Sequence, residues 1–318
     1  MPSSYSSQRE VFYSRAGSCL PILPHHDGLD CSLCKSFWHG KINGVSIYRG
    51  SFDVIIWRLE PRFVYLPKSQ SEWQELCDGL ERVCRFPDAV LAIDGSLIQI
   101  ERPLDYEGWY CRKGYPAINV QCVVDYKRRF RSFAMGPGAE NDKGVYNRSE
   151  FGNTIHQLLP PNKVILADAG YQLFAHCLTP YEIHDEMTPE EKNYNRLHSC
   201  TRIVVENAFG ILKNRFRRFK APLNQKGNLG NGWRRDRKNK TASSQAARVV
   251  RACLTMHNIF IHLADDVDIP DTIDDSEQST DTTGAGAVNN PAGVIDGDAG
   301  LLRRDIVKVY LASLKNLN

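Results

Sequence analysis

Apolar and polar positions follow two main rhythms along this chain, and each marks a different kind of element. Ala89–Ile93 and Val164–Ala167 are uninterrupted apolar runs of five and four residues, rich in β-branched types. Runs that short predict strands buried on both faces. The first is closed by Asp94-Gly95 and the second by Asp168-Ala169-Gly170. Each strand is therefore expected to end on a carboxylate, at the edge where open α/β sheets place their ligands. Val120–Asp125 and Phe130–Met135 flank Lys127-Arg128-Arg129 and predict a β-hairpin.

The other rhythm is helical. It predicts helices over 71–84, from Asp142 to Leu159 ahead of Pro160-Pro161, from about Gln245 to Leu263, and over 301–317. A further helix starts near Pro189-Glu190-Glu191 and leads, with a break allowed, to Glu206. On its later part Val205, Phe209, Leu212 and Phe216 form an apolar stripe at i, i+4, i+7 and i+11. Arg202, Glu206, Gly210, Lys213 and Arg217 line another side. That row has two readings. One is a solvated charged face, each pair contributing only a few tenths of a kcal/mol. The other is a functional carboxylate set among cations.

Charge sharpens the picture. The net +3 of this 318-residue chain conceals an asymmetry. Residues 264–300 carry ten acidic residues and no Lys or Arg, whereas Lys213–Arg251 carries thirteen Lys or Arg and one acid, Asp236. A basic stretch on and after the Glu206 helix suits a phosphate backbone. Lys213, Arg215, Arg217 and Arg218 are the expected DNA contacts. Arg234–Lys240 is the candidate nuclear import signal, so the nucleus is the expected location. The organisation expected is an irregular region at 1–70, an α/β domain at 71–263, an acidic linker at 264–300 and a short C-terminal helix at 301–318.

Several classes are disfavoured. No apolar run approaches the ~18 residues of a membrane helix, and no basic segment followed by an apolar core marks a secretory signal. The ten scattered cysteines therefore read as reduced thiols. Cys31-x-x-Cys34, with His25, His26 and His39 nearby, lacks the second pair of a usual zinc site. No G-x-S-x-G, P-loop or G-x-G-x-x-G occurs.

Asp94, Asp168 and Glu206 are separated by 74 and 38 residues. Three convergent carboxylates supply hard oxygen ligands for Mg²⁺ or Mn²⁺, and two such ions can drive phosphodiester cleavage. Asp125 and Asp142 are further acids, for which a hairpin end and a helix N-cap are the simpler roles. His257 reads as a hydrogen-bonded core histidine.

Six ordered blocks over about residues 85–262 resemble the PIF/Harbinger transposases and nucleases derived from them, within the Asp-Asp-Glu superfamily. They are Ala92–Ile98; Tyr110–Tyr115 with Ile118–Gln121; Gly136-Pro137-Gly138 with Asn141-Asp142; Leu166–Tyr171 with Thr179-Pro180-Tyr181; Asn195–Phe216; and Leu254–Asn258. The chain departs from the family pattern at Asn141 (usually His), Cys111 (usually Asn) and Ser96 (usually Thr). The resemblance implies an RNase H-like mixed sheet flanked by helices, with Asp94, Asp168 and Glu206 as catalytic metal ligands. It implies a DNA endonuclease or transposase, with a domesticated, catalytically silent DNA-binding or scaffold protein as the alternative. It also implies a companion protein with a Myb-like DNA-binding domain. The acidic linker, or the terminal helix with Leu301, Ile306, Tyr310 and Leu314, is the candidate docking segment. The oligomeric state and the DNA target are left open.

Overall fold

The computed structural model describes residues 52, 54–101, 108–223, 245–263 and 291–315. The Cys31/Cys34 pair, the 234–240 basic cluster and most of the acidic stretch lie outside them.

A π-helical turn, Ile55–Leu59, runs into α1 (Glu60–Phe63). Helix α2 (Gln70–Cys84) starts on a capping box in which Ser69 and Glu72 satisfy each other's backbone amides. Its apolar side, Trp73, Leu76, Cys77 and Leu80, is buried. The expected hairpin is present as β2 (Ala117–Val124) and β3 (Phe130–Pro137), preceded by β1 (Ala89–Gln99). The predicted 142–159 helix is two helices, α3 (Asp142–Arg148) and α4 (Glu150–Leu158). Ser149 causes the break: its hydroxyl donates to the Tyr146 carbonyl and accepts from the Gly152 amide, ending one helix and capping the next.

Strand β4 (Val164–Ala167) and the two-residue β5 (Cys177–Leu178) complete a five-stranded sheet of order β3-β2-β1-β4-β5. Pairing is antiparallel from β1 to β3 and parallel from β1 through β4 to β5. This mixed sheet flanked by helices is the RNase H-like α/β fold that the resemblance implies. Leu91, Ile93, Val123, Ile165 and Ala167 on one side meet Trp73 and Leu76 of α2 and Phe151 and Ile155 of α4 in a single core cluster.

Helix α5 (Pro189–Arg215) packs against β1, β2 and β4. It is unbroken over 27 residues, about 40 Å. Thr188 and Glu191 form its capping box, with Pro189 in the first turn. Val205, Phe209, Leu212 and Phe216 are all buried, so the apolar stripe faces the sheet and α6 (Gln245–His262). Helix α7 begins at Pro291, ten residues before the expected Leu301, and ends at Lys315. Gly300 allows the close approach: a Cβ there would crowd the Phe174 backbone. Farther along α7, Arg304 lies 4.0 Å over the Tyr181 ring, and the Tyr181 hydroxyl donates to Asp305.

One expectation about the cysteines is corrected. Cys84 and Cys200 are disulfide-bonded, tying the end of α2 to the middle of α5 across 116 residues. Two thiols so far apart in sequence give no local signal of pairing. Cys77, Cys111, Cys122, Cys177 and Cys253 are buried free thiols.

Candidate active site

Asp94 and Asp168 come together through sheet register. The parallel pairing of β1 and β4 finishes at Ile93↔Ala167, so the two aspartates are the next residues on neighbouring strands. Asp168 follows β4 as expected. Asp94 does not end its strand, because β1 continues to Gln99 along β2, pairing Gly95 with Gln121 and Gln99 with Ala117. The Gly95-Ser96 pair resembles a turn in sequence, but an antiparallel partner on one side holds it extended. The edge at which the two aspartates meet is thus where β4 stops.

Local amides fix both side chains. Asp94 Oδ1 accepts from the Gly95 amide at 2.8 Å, and Asp168 Oδ1 from the Gly170 amide at 3.0 Å. Glu206 is brought in through Arg202, one turn earlier on α5. The guanidinium donates to Asp94 Oδ2 at 2.8 Å and to Glu206 Oε1 at 2.6 Å. Strand residue, helix residue and the cation between them therefore form one chain of charge. Glu206 is the more open of the two acids, its side chain 38% exposed against 18% for Asp94.

Burial dominates the electrostatics of the two aspartates. Burial pushes the Asp94 carboxyl up to about 7; Arg202 opposes the shift, while the charges of Asp168 and Asp142 add to it. Burial also raises Asp168, against Arg202, the Gly170 amide and Arg112. Burial alone would lower the Arg202 guanidinium, but Asp94, Glu206 and Asp168 outweigh it and hold it above its usual value.

Asp142 differs from its expected role. The side-chain cap of α3 is Asn141, which accepts from the Gly144 amide, and Asp142 is the first helical residue. Its Oδ1 accepts from Asn119 Nδ2 at 2.9 Å. It lies against Gly95, where a Cβ would overlap its carboxylate. Strand alternation places that contact on the face of β1 opposite Asp94. Asn119 and Gln121, buried on β2, anchor this side: Gln121 donates to the Asp142 carbonyl and to the Tyr171 hydroxyl. Two amides inside an otherwise apolar strand are the sequence signal for this support. Asp125 is structural, buried and paired with Arg129 and Arg131 at 2.8 Å. His257 is a core residue, as expected.

The four expected DNA contacts separate. Arg217 and Arg218 are exposed in a 3₁₀ turn, Arg217–Lys220, and Lys213 is half-buried. Arg215 is corrected: it is 5% exposed, with its guanidinium 4.9 Å over the Phe260 ring. A side chain packed that way does not present its charge to a phosphate.

Carboxylate oxygens alone make up the donor set of Asp94, Asp168 and Glu206, which fits a hard divalent cation. Among the described residues, no three His, Cys, Asp or Glu side chains close into a ready-made ion cage. Arg202 supplies the positive charge between Asp94 and Glu206. The fit therefore rests on donor chemistry and on raised carboxyl values that a cation would relieve.

Comparison with known proteins gives the family. A family model described as DDE superfamily endonuclease matches residues 93–258, more than half of the chain. The chain belongs to the DDE endonuclease superfamily. That match begins one residue before Asp94 and takes in Asp168 and Glu206. The rat protein named "Putative nuclease HARBI1" is 26% identical over 208 residues, 65% of this chain and 55% of its own. The human protein of that name is 25% identical over the same shares. An Arabidopsis thaliana protein named "Protein ALP1-like" is 26% identical over 246 residues, 71% of this chain and 55% of its own. The chain thus spans about 55% of the length of these relatives. No solved structure matches the chain.

Proposed function

We propose that this chain is a metal-dependent DNA endonuclease or transposase in which Asp94, Asp168 and Glu206 hold two Mg²⁺ or Mn²⁺ ions. The observation that carries this reading is the placement of Asp94 and Asp168 side by side on adjacent parallel strands, with Glu206 joined to Asp94 through Arg202. Divalent metal held there would supply Lewis-acid activation of the attacking water, or of a DNA 3′-hydroxyl in strand transfer, and would offset charge at the leaving oxygen. The chain's residues do the positioning: Gly95 and Gly170 amides orient the aspartates, and the buried apolar stripe of α5 sets the height of Glu206. Lys213, Arg217 and Arg218, just beyond Glu206, would track the phosphate backbone. A nuclear location fits the expected import signal and a DNA substrate.

A catalytically silent DNA-binding or scaffold role is the second reading. Arg202 favours it in one respect, since its single positive charge pairs with two of the three acids without metal. Cleavage of a supercoiled plasmid in Mg²⁺ or Mn²⁺ separates the two readings. The endonuclease reading expects nicked product from the wild-type chain and none from Asp94→Asn; no metal-dependent nicking by either favours the silent role. For target choice we infer a Myb-like companion, with the α7 segment that carries Leu301, Ile306, Tyr310 and Leu314 as its docking segment; the exposure of these residues supports that reading.

A further inference from the structure

We infer that Arg202 is the resident counter-cation of the carboxylate site and competes with divalent metal for Asp94 and Glu206. The inference rests on the metal-dependent reading above and adds a control on metal entry that the three acids alone do not provide.

The geometry is specific. A guanidinium presents its donors in a rigid fork, and here the two prongs go to two acids on different elements. One cation is therefore shared between β1 and α5, on carboxylate oxygens that a divalent ion would need. Arg202 is itself only 16% exposed, so it is not a solvated surface partner. The backbone carrying it is held on the side that precedes it. Cys200, two residues earlier, is bonded to Cys84. His198, one turn earlier, is buried and donates to the Leu178 carbonyl at 3.1 Å. With the helix pinned there, Arg202 can release its carboxylates by side-chain rotation while Glu206 keeps its place on α5. Two cations cannot share those oxygens at full occupancy, because like charges a few ångströms apart repel strongly outside bulk water.

A purely organising role predicts the opposite sign. If Arg202 served to hold Asp94 and Glu206 in a metal-ready arrangement, its removal would scatter the ligands and weaken metal binding. If it competes, its removal strengthens binding while leaving the metal-free acids in unrelieved repulsion. Calorimetric titration of Mn²⁺ into the full chain, with melting curves in EDTA and in Mn²⁺, reads both quantities. Arg202→Gln is expected to bind Mn²⁺ at least tenfold more tightly than wild type, to melt lower in EDTA, and to show a larger metal-induced rise. Arg202→Lys keeps the charge without the fork and is expected to bind with intermediate affinity; it carries the test if the Gln variant does not fold. Equal or weaker Mn²⁺ binding by these variants overturns the inference. Asp94→Asn, run in parallel, keeps the two failures apart. If it loses Mn²⁺ binding while the Arg202 variants gain none, only the competition is wrong. If it binds Mn²⁺ as wild type does, the metal-site reading falls and the inference with it.

Discussion

His257 is buried with 0% exposure on α6, where its Nε2 donates to the Arg128 carbonyl at 2.9 Å. Burial pushes its ring down from 6.5 to about 3, against that hydrogen bond. A histidine with a depressed value binds fewer protons folded than unfolded. Its contribution is therefore complete above about pH 6.5 and is lost as pH falls towards the folded value. The loss attributable to this residue between pH 7 and pH 5 is about 2 kcal/mol. Urea unfolding of the wild type and His257→Gln at the two pH values checks it. The stability difference between them should shrink by roughly that amount on acidification; an unchanged difference would mean the ring is solvated or charged in the folded chain. Arg215 shows the same limit of single-residue reading as Asp142. In sequence both belong to sets of like residues, cations in one case and acids in the other. What separates them is direction: Arg215 turns inward to Phe260 while Arg217 stays exposed, and Asp142 lies over Gly95 rather than capping its helix.

At the scale of elements, the basic segment following Glu206 gives the most direct prediction. Replacing Lys213, Arg217 and Arg218 with Gln should weaken binding to all duplex sequences. It should also flatten the salt dependence, the log–log slope falling by about 0.9 for each phosphate no longer neutralised. Arg215→Gln should instead lower the melting temperature with little change in that slope. Binding measured from low to moderate salt decides it, and a wild-type slope in the triple variant would place the phosphate track elsewhere. The Cys84–Cys200 link makes a second prediction. Disulfides typically contribute about 2–4 kcal/mol, and loop-closure entropy puts a loop of this length above that, at about 4.7 kcal/mol. Cys200→Ser should melt lower than wild type in oxidising buffer and match it in dithiothreitol; equal melting in both buffers would show that the bond does not form. Much of this level is legible in the sequence. The short apolar runs, the hairpin and the α5 stripe mark their elements because burial imposes strand and helix periods on the chain. The continuation of β1 past Asp94 is not legible, since it depends on β2 as a neighbour. Nor is the disulfide, because it depends on α2 and α5 meeting in space. The early start of α7 lies in a Gly-rich, acidic stretch whose composition reads as linker.

For the whole molecule, the order of Asp94, Asp168 and Glu206 is readable in the chain, but the cation joining two of them is not. Arg202 stands in the charged row with an ambiguous part, and only the packing of α5 against β1 directs it to Asp94. The chain also covers about 55% of its relatives' length. Phosphate contacts position a protein without specifying sequence. The chain alone should therefore prefer candidate terminal repeats over scrambled DNA by less than a hundredfold at fixed salt, and a larger preference would remove the need for a companion. The central claim is that Asp94, Asp168 and Glu206 act as one divalent-cation unit. Thermal melting with EDTA or with excess Mn²⁺ tests it most directly, using wild type, Asp168→Asn and Glu206→Gln. Metal in hundredfold excess over its Kd stabilises the folded chain by about 2.7 kcal/mol. The account predicts a clear upward shift for the wild type and its loss in both variants. The same Mn²⁺ shift in all three proteins would contradict it.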